Sequence, residues 1–511
     1  MVIATETLNK FPWIARLVLF VTGALAPLIF APFQVWPLAF VLPGVFWWLT
    51  ADAPRREAFW RGWWFGLGFF GFGISWVYFS MRIVDTPVWI SLVLTSGFCM
   101  GMAFLFALQA WLPALLRRWT RVLPWVVFPL IWLAFEAVRS TLFTGMPWLL
   151  WGTLATDTWL RGWLPIGGVF LASLWVLLGA GALWHLAAVW AVRSQAWLPA
   201  TGLTLGILVL TWGAGLALLD REYTQPSQDT PITVAAMQGN VEQSRKWLRS
   251  ERGPTLNLYE RLNARHPNAD LLIWPETAIT AFPDELPNYL TSLDNALSSR
   301  SQTLLAGIPL RGDGQRYYNG IGAWGDGAGE YRKQRLVPFG EYLPLQGLLE
   351  GLIAFFDLPM SGFSAGSGGQ PPMTMTHAGG TLRLAPLICY EAAYPGLSRQ
   401  QAMDSDLLVV ISNDAWFGRS LAPRQHLQIT RTRAIENQRD MVRSTQNGIS
   451  ALVDAHGRIL DRTDQFVVAS VAGELTLRQG TTPYQRWGEW LVALLAALIL
   501  AVGGWASWRH R

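Results

Sequence analysis

Two patterns of hydrophobic residues divide the chain. Residues 1–220 contain long apolar segments separated by short polar gaps, and another apolar run follows at Trp490–Trp508. The block between them alternates short apolar runs with amphipathic stretches. We therefore expect a transmembrane region at 1–220, a folded block at 221–487, and a C-terminal span with a short cytoplasmic tail at 488–511.

The apolar segments of the first region reach or approach the roughly 20 residues that a helix needs to cross a bilayer. Seven lie near 13–31, 34–50, 59–79, 88–115, 122–138, 163–192 and 198–219. The second segment has the weakest case for being a transmembrane span, because it is short and holds Pro37 and Pro43. The first could instead be a signal peptide, but it lacks a convincing cleavage site and more spans follow, so we interpret it as an uncleaved anchor. With the C-terminal run, the sequence predicts a membrane α-helical bundle of about eight spans.

Basic residues in the gaps between the segments predict the orientation. Most of them occupy alternate gaps, at Lys10, Arg16, Arg55, Arg56, Arg61, Arg117, Arg118, Arg121 and Arg193, whereas the other gaps hold Arg82, Arg139 and Arg161. The positive-inside rule therefore puts both termini in the cytoplasm. Seven crossings then place the 221–487 block on the outer face of the membrane.

Composition supports this division. The chain is 52% hydrophobic and 14% charged, which is too apolar for an ordinary soluble protein. Its 30 tryptophans suit a membrane interface, and we interpret Trp60–Trp64 and Trp148–Trp151 as interfacial belts. The net charge of +5 comes mostly from Arg beside apolar runs, so we expect no nucleic-acid partner. Two distant cysteines exclude a disulfide framework, and six scattered histidines predict no metal site.

The folded block alternates strand-like and helix-like stretches. Strands are predicted at Ile232–Met237, Leu271–Trp274, Thr303–Ile308, Gly320–Trp324, Leu382–Cys389, Leu407–Ser412 and Met441–Val453. Helices are predicted at Pro254–His266, Leu286–Arg300 and Arg424–Asn437. Continuous apolar strands alternating with helices indicate an α/β fold in which sheets are buried under helical layers.

Reactive side chains recur where the predicted strands end. Glu276 closes the run LLIWPE, Lys333 and Glu341 lie in YRKQRLVPFGE, and LRLAPLICYE ends with Cys389 and Glu391. Lysine is scarce, with Lys10, Lys246 and Lys333 among 39 basic residues, so the choice of Lys at 333 is a modest hint of function. Taken singly, a Cys is more often a buried apolar residue and a Lys a solvated charge.

Together these groups suit acyl transfer. A thiolate attacks, a carboxylate whose pKa is raised towards neutrality removes the thiol proton, and an ammonium stabilises the oxyanion with the backbone N–H that follows the nucleophile. The competing arrangement pairs Cys389 with His426, as in papain-like enzymes. His426 stands in RQHLQ near a helix start, where a capping or solvent-facing role is the commoner one.

The ordered motifs WPE (274–276), Lys333 before LVPFGE (336–341) and CYE (389–391) resemble the nitrilase superfamily, with ISNDAWFG (411–418) and RTRAIENQ (431–438) similar as well. That family implies an αββα sandwich with a Glu-Lys-Cys triad. More narrowly, such a block between seven spans and one resembles the bacterial apolipoprotein N-acyltransferase family, as do SWVY (75–78), GMPW (145–148), MQGN (237–240) and YNG (318–320).

The resemblance implies a role for each candidate residue. Glu276 is the expected general base, Lys333 the oxyanion stabiliser and Cys389 the nucleophile. Supporting roles fall to Glu341, Glu391, Tyr390 and Asn319. Trp247 and Trp416 are candidate substrate contacts. Glu136 and Arg139 form either a structural ion pair or a pair that binds a lipid headgroup, and the apolar stretch Leu343–Phe356 forms either a core helix or a lid at the bilayer surface.

The same resemblance implies the reaction and the location. A fatty acyl group passes from a phospholipid, with phosphatidylethanolamine favoured, through a thioester to the N-terminal amine of a diacylated apolipoprotein. No cofactor is required, a monomer is favoured, and the protein is expected in the bacterial inner membrane with its catalytic block in the periplasm. Two other functions stay open, a membrane-anchored amidase or nitrilase and a transporter with an inactive sensor domain.

Overall fold

The computed structural model describes residues 11–83, 85–116, 124–194, 196–227, 231–338, 340–342 and 362–509. Lys10, Arg117, Arg118 and Arg121, which entered the orientation argument, lie outside the described residues, as does the stretch Leu343–Phe356. The chain forms two compact units. One comprises Met1–Arg221, Arg419–Gln428 and Arg486–Arg511, and the other comprises Glu222–Gly418 and Ile429–Gln485.

The first unit is helical. Its helices are α1 (Pro12–Leu25), α2 (Leu38–Thr50), α3 (Arg55–Gly73), α4 (Trp76–Ile83), α5 (Val88–Leu115), α6 (Pro124–Arg139), α7 (Leu164–Ala191), α8 (Trp197–Leu208) and α9 (Ala214–Ala217). Short 3₁₀ turns lie at Ala26–Ile29, Leu142–Thr144, Trp151–Asp157 and Trp159–Trp163, and a π turn lies at Val209–Gly213. Each of the seven apolar segments therefore contains a helix.

Fewer of these helices have the length and composition of a membrane span. Within the described residues four do so, at Pro12–Ile29, Val88–Leu115, Trp159–Ala191 and Trp197–Ala217. The pair α3 and α4 adds a fifth if the two helices, bent by 49°, form one span. Helix α2 has 13 residues and a rise of about 1.5 Å each, which falls short of a hydrocarbon core of about 30 Å. The expected count of about eight spans is thus not confirmed.

Small residues allow the first helices to pack closely. A Cβ added at Gly23 on α1 would lie 2.0 Å from the carbonyl oxygen of Phe65, and one at Gly62 on α3 would lie 2.3 Å from that of Phe106. Helices that cannot gain from a hydrophobic effect in lipid associate through such close backbone contact. The ion pair of Arg16 with Glu57, at 2.7 Å, adds a polar link between α1 and α3.

The second unit contains two main sheets. Their strands are β2 (Ile232–Gln238), β3 (Leu271–Ile273), β4 (Thr303–Arg311), β5 (Tyr317–Gly325), β6 (Gly327–Ala328), β7 (Glu330–Arg332), β8 (Met373–His377), β9 (Gly380–Ile388), β10 (Leu407–Ser412), β11 (Met441–Thr445), β12 (Ala451–Val453), β13 (Ile459–Arg462) and β14 (Ala469–Leu475). A six-stranded sheet has the order β14-β2-β3-β4-β5-β7, and a seven-stranded sheet has the order β13-β12-β11-β10-β9-β8-β6. Strand β1 (Gln225–Pro226) pairs with β15 (Arg478–Gln479).

Parallel strands occupy the centre of each sheet, β2-β3-β4 in one and β9-β10-β11 in the other. The helices of this part of the chain are α10 (Arg249–Asn263), α11 (Pro287–Ser298), α12 (Pro395–Ala402) and α13 (Ala422–Asn437). The chain then continues through α14 (Pro483–Trp487) and α15 (Trp490–Arg509). The described apolar part of α15 covers Trp490–Ala501.

Successive side chains of the central strands point to opposite faces of the sheet and pack into two separate hydrophobic cores. On β2, Val234 and Ala236 enter a core that also contains Leu384 and Val409 of the other sheet. Ala235 and Met237 point to the opposite face, into a core with residues of α10 and α11 such as Tyr259 and Leu293. Helix α12 packs against β9 of the second sheet. This produces helix, sheet, sheet and helix layers, with the carboxyl ends of the parallel strands available for a site.

The predicted strands correspond to β2, β3, β4, β5, β9, β10 and β11. The run Met441–Val453 was wrong as a single strand, because a hairpin divides it into antiparallel β11 and β12. Asn447-Gly448, a dipeptide typical of tight turns, lies between the two strands. Strands β1, β6, β7, β8, β13, β14 and β15 were not predicted.

Candidate active site

Strand ends from both sheets supply the candidate triad. Glu276 follows β3 after Trp274 and Pro275, and Lys333 follows β7 directly. Cys389 follows β9 and begins the 3₁₀ turn Cys389–Ala393. Its φ of +53° lies in the left-handed region, which costs a non-glycine residue roughly 1–3 kcal/mol and is common where a side chain is held for chemistry.

Lys333 lies at the centre of a buried polar cluster. Its Nζ donates to Glu276 Oε1 at 3.0 Å and to Glu341 Oε1 at 2.8 Å. Asn319 on β5 bridges the same two carboxylates, with its Nδ2 2.7 Å from Glu276 and 2.8 Å from Glu341. The second oxygen of Glu276 accepts a hydrogen bond from the main-chain N–H of Asn413 at 2.8 Å. Glu276 therefore has a fixed orientation set by three donors.

The charges in this cluster determine which group holds a proton. Burial alone raises the pKa of Glu276, but the Lys333 ammonium, the hydrogen bonds from Asn319 and Lys333, and the charge of Lys246 outweigh it and lower the pKa below its ordinary value. Burial alone lowers the pKa of Lys333, but the Glu276 and Glu341 carboxylates raise it above the ordinary range. The resting site thus holds a carboxylate and an ammonium.

The thiol has the opposite tendency. Burial and the nearby Glu276 carboxylate raise the pKa of Cys389, and the Lys333 charge only partly offsets them. Cys389 is therefore a thiol at rest, in electrostatic contact with an ionised carboxylate. The sequence led us to expect a raised pKa for Glu276. The structure gives a lowered one, because the flanking ammonium and three hydrogen bonds stabilise the charged form more than burial penalises it.

Glu391 supports the main chain on either side of the site and does not join the triad. One of its oxygens accepts hydrogen bonds from the Gln334 N–H at 2.6 Å and the Tyr331 hydroxyl at 3.0 Å, and the other accepts one from the Ile388 N–H at 2.8 Å. It thereby connects the residue before Cys389 to the residue after Lys333. Burial raises the pKa of Glu391 to about 7 despite these hydrogen bonds.

Three predicted aromatic residues lie in this unit with different surroundings. The Tyr390 ring packs edge-on against Tyr394, with centroids 5.3 Å apart. Trp416 is partly buried and packs against the small cluster of Leu336 and Phe363. Trp247 keeps 36% of its surface exposed.

Glu136, Arg139 and His426 belong to the first unit. Glu136 Oε1 accepts a hydrogen bond from the Trp151 N–H at 2.6 Å, and Arg139 donates to the Trp148 and Leu149 carbonyls, so both side chains fix the main chain at 148–151. His426 is 0% exposed, with its ring 5.6 Å from that of Trp148. The expectation of a solvent-facing His426 is therefore wrong, because this face of its helix is packed against an aromatic ring.

Sequence reasoning missed two residues that contact Glu276. The Asn413 N–H binds its carboxylate, and Lys246 Nζ donates to its carbonyl oxygen at 2.9 Å. The Asn413 contact uses the main chain and leaves no sequence pattern. Lys246 had a signal that could have found it, since it is one of three lysines in a chain that otherwise uses Arg.

Comparisons with known proteins extend the description to the whole chain. The sequence model described as "Apolipoprotein N-acyltransferase N-terminal domain" matches residues 22–182, and the model described as "Carbon-nitrogen hydrolase" matches residues 233–478. The second match agrees with the nitrilase-like fold of the second unit. The solved structure of a carbon-nitrogen hydrolase from Helicobacter pylori G27 is 18% identical, with a TM-score of 0.36, and the match covers 48% of this chain and 89% of that one. The solved structure of an amidase from Nesterenkonia sp. is 16% identical, with a TM-score of 0.35, and the match covers 50% of this chain and 94% of that one.

Curated relatives match at nearly full length. A protein of Azotobacter vinelandii is 44% identical, over 98% of this chain and 96% of its own. A protein of Pseudomonas aeruginosa is 41% identical, over 96% and 95%. A protein of Vibrio vulnificus is 38% identical, over 95% and 96%, and all three are named apolipoprotein N-acyltransferase. On these grounds the chain belongs to the apolipoprotein N-acyltransferase family.

Proposed function

We propose that this protein transfers a fatty acyl group from a phospholipid, through a thioester on Cys389, to the N-terminal amine of a diacylglyceryl-cysteine lipoprotein. The observation that carries this proposal is the buried Glu276–Lys333 pair in electrostatic contact with the Cys389 thiol. Membership of an acyltransferase family and the apolar helices support a lipid donor. Phosphatidylethanolamine is the donor we favour.

The first half-reaction makes the thioester. As the Cys389 sulfur attacks the ester carbonyl carbon, its proton passes to the Glu276 carboxylate. Lys333 and the N–H of Tyr390 stabilise the resulting oxyanion, a role worth about 3–4 kcal/mol per donor in comparable sites. The carbon–oxygen bond then breaks, and Glu276 returns the proton to the glycerol oxygen. Lysophospholipid leaves, and the acyl group remains on sulfur.

The second half-reaction makes the amide. The α-amine of the lipoprotein attacks the thioester carbon, Glu276 accepts a proton from the nitrogen, and the carbon–sulfur bond breaks. The proton then passes from Glu276 to the Cys389 sulfur, so the enzyme returns to its resting protonation state with no net gain or loss of protons. Glu341 and Asn319 fix the side chains of Glu276 and Lys333 relative to each other. Glu391 and Tyr390 position the turn that carries the Cys389 sulfur. No cofactor enters either step.

We assign residues 1–220 and 488–511 to the membrane region and 221–487 to a periplasmic catalytic domain of a bacterial inner-membrane protein, active as a monomer. The bundle has about eight spans. Trp247, Trp416, Glu136 and Arg139 are our candidates for lipid contact.

Intact-mass analysis of the purified protein tests this function. Incubation with phosphatidylethanolamine and no acceptor should add one fatty acyl group to the peptide containing Cys389, and hydroxylamine should remove it. Cys389→Ala should abolish both the increment and turnover. Cys99→Ala is the matched control, because it removes the other buried thiol. A wild-type Cys389 that stays unmodified would favour a hydrolase of small substrates or an inactive sensor domain instead.

A further inference from the structure

Lys246 is a buried cation that the proposed mechanism does not use. Its side chain is only 2% exposed, and its Nζ donates to the carbonyl oxygen of Glu276 at 2.9 Å and to Thr277 Oγ1 at 2.5 Å. A lysine is almost never fully buried unless it is paired, because its charge is costly to remove from water. The oxygens of the Glu276–Thr277 turn therefore stabilise the buried ammonium of Lys246, and the ammonium supplies the turn with a hydrogen-bond donor.

The turn that Lys246 holds is a strained one. Thr277 has a φ of +48°, a conformation that is unfavourable for a β-branched residue. Strand β4 lies directly behind the turn, since a Cβ added at Gly307 would approach Thr277 N to 2.4 Å and Glu276 Cα to 2.7 Å. Gly307 and Lys246 thus restrain the same peptide, and a strained backbone persists only where its surroundings hold it.

The segment Glu242–Trp247 also reaches Glu276 indirectly, through Asn413. Asn413 donates its Nδ2 to Gln243 Oε1 at 2.9 Å, and its main-chain N–H donates to the Glu276 carboxylate at 2.8 Å. Lys246 is in turn fixed within the segment by its N–H, which donates to the Glu242 carbonyl at 3.0 Å. One short segment therefore reaches both the main chain and, through Asn413, the side chain of Glu276.

We propose that Lys246 is a positioning residue for the reaction, and that the segment Glu242–Trp247 holds the carboxylate of Glu276 in its reactive orientation through Lys246 and Gln243. This inference rests on the proposed function, in which Glu276 is the general base. Lys246 acts through Glu276, since its hydrogen bonds go to the turn and not to a reacting atom. The exposed Trp247 is the next residue, so the segment that positions the base also presents a surface to substrate.

The charge of Lys246 gives the proposal a distinctive readout. Burial lowers its pKa to about 8, although Glu276 and Cys389 both raise it. The Glu276 carboxylate faces two ammonium groups, Lys333 and Lys246, together with the Cys389 thiol, and it shares Lys333 with Glu341. Because the Lys246 charge lowers the pKa of Glu276, removing it should raise that pKa.

Single-turnover acylation of Cys389 by phosphatidylethanolamine tests the proposal. Lys246→Met should slow thioester formation about 10- to 100-fold, as misplacement of a catalytic group does. The acid limb of the pH–rate profile should move to higher pH, and the apparent KM for phospholipid should change less than about twofold. The shifted limb would show that the Lys246 charge acts on Glu276, and the slower rate at the pH optimum would show that its contacts position the carboxylate.

Arg245→Met is the matched control. Arg245 lies in the same segment, but its side chain is 60% exposed and pairs with Glu251, so acylation should stay within about twofold of the wild type. Gln243→Leu is the second variant and covers the case in which Lys246→Met does not fold. It breaks the link to Asn413 without burying a charge and should slow acylation about 3- to 10-fold.

The outcomes separate this inference from the proposed function. If wild-type Cys389 acquires no acyl group, the proposed function fails and this inference fails with it. If wild-type Cys389 is acylated, and each folded variant of Lys246 and Gln243 reacts at the wild-type rate with an unchanged pH profile, only the positioning role is overturned. Slow acylation with a shifted acid limb in Lys246→Met, beside a normal Arg245→Met, supports it.

Discussion

At the scale of single residues, the carboxyl group of Glu391 connects the geometry of the site to pH. It is fully buried and accepts hydrogen bonds from the N–H groups of Ile388, Gln334 and Arg335 as well as from the Tyr331 hydroxyl. Burial nevertheless keeps its pKa at about 7, above the ordinary value of 4.5. The folded protein therefore binds this proton more tightly than the unfolded chain does.

This difference in pKa determines the direction in which the stability of the fold changes with pH. A carboxyl whose pKa is higher in the folded state contributes stability that is fully present below about pH 4.5 and is lost as the pH rises through about 7. A shift from 4.5 to about 7 corresponds to a contribution on the order of 3 kcal/mol. We expect the apparent Tm of the wild type in detergent to fall between pH 5 and 8, and Glu391→Gln to show a smaller fall.

The comparison of the two slopes isolates Glu391. Burial also raises the pKa of Asp440 to about 6, and burial lowers that of His266, but both groups are present in the two proteins and cancel in the difference. At pH 5, Glu391→Gln should be less stable than the wild type by about 1–3 kcal/mol, because its amide must direct an N–H at a donor, and this difference should shrink as the pH rises. If Tm fell equally with pH in the two proteins, the raised pKa of Glu391 would be contradicted.

The residues of the site differ in how readily sequence reveals them. Glu276 and Cys389 follow apolar runs, and Lys333 stands out as one of three lysines, so these patterns and a family resemblance were enough to select them. Asn413 binds Glu276 through its main chain, and any residue type could supply that N–H. The lowered pKa of Glu276 depends on distances between side chains from separate strands, which no local pattern records.

At the scale of elements, the turn after β3 depends on a glycine in the neighbouring strand. An added Cβ at Gly307 would meet only backbone atoms, with Pro275 O at 2.5 Å and Thr277 N at 2.4 Å. Backbone cannot rotate away as a flexible side chain can, so β4 and the turn must separate. Gly307→Ala should cost about 1–3 kcal/mol of stability, as overpacking does, and should slow Cys389 acylation about 100-fold by moving Glu276.

Gly368→Ala is the matched control for that prediction. A Cβ there would meet nothing within 4 Å, so stability and acylation should stay close to wild type. The measurements are the Tm of each purified variant and its single-turnover acylation rate. A Gly307→Ala protein with wild-type values for both would show that the turn tolerates displacement from β4.

The elements themselves were predictable where apolar periodicity is strong. The buried central strands β2, β3, β4, β9 and β10 follow runs of Leu, Ile, Val and Ala. The edge strands β6 and β7 have two and three residues, and their pairing is determined by neighbouring strands rather than by their own sequence. The hairpin between β11 and β12 was missed although Asn447-Gly448 marks it, because two flanking apolar runs were merged into one.

At the scale of the whole molecule, the side of the membrane on which the catalytic unit lies depends on whether the number of preceding crossings is odd or even. The seven segments predicted from sequence give an odd number. Among the described residues, four helices before that unit have span length, and the bent α3–α4 pair makes five, which is also odd. Adding both α2 and α6 restores seven. Adding only one of α2 and α6 to the five, or leaving the bent pair out of the seven, gives six, an even number that would reverse the side.

Two cysteine reporters test on which side of the membrane the catalytic unit lies. Leu460→Cys, at a position 51% exposed on β13, should react with a membrane-impermeant maleimide in intact spheroplasts. Val192→Cys, 61% exposed just after α7, should react only after the membrane is permeabilised, because the positive-inside rule assigns this gap to the cytoplasm. The native Cys99 and Cys389 are buried, so the wild type should give a low background. If Leu460→Cys instead reacted only after permeabilisation, the catalytic unit would lie on the cytoplasmic side and the periplasmic assignment would fail. Reaction of both reporters from the same side would show that the segment between them, which contains α8, does not cross the membrane.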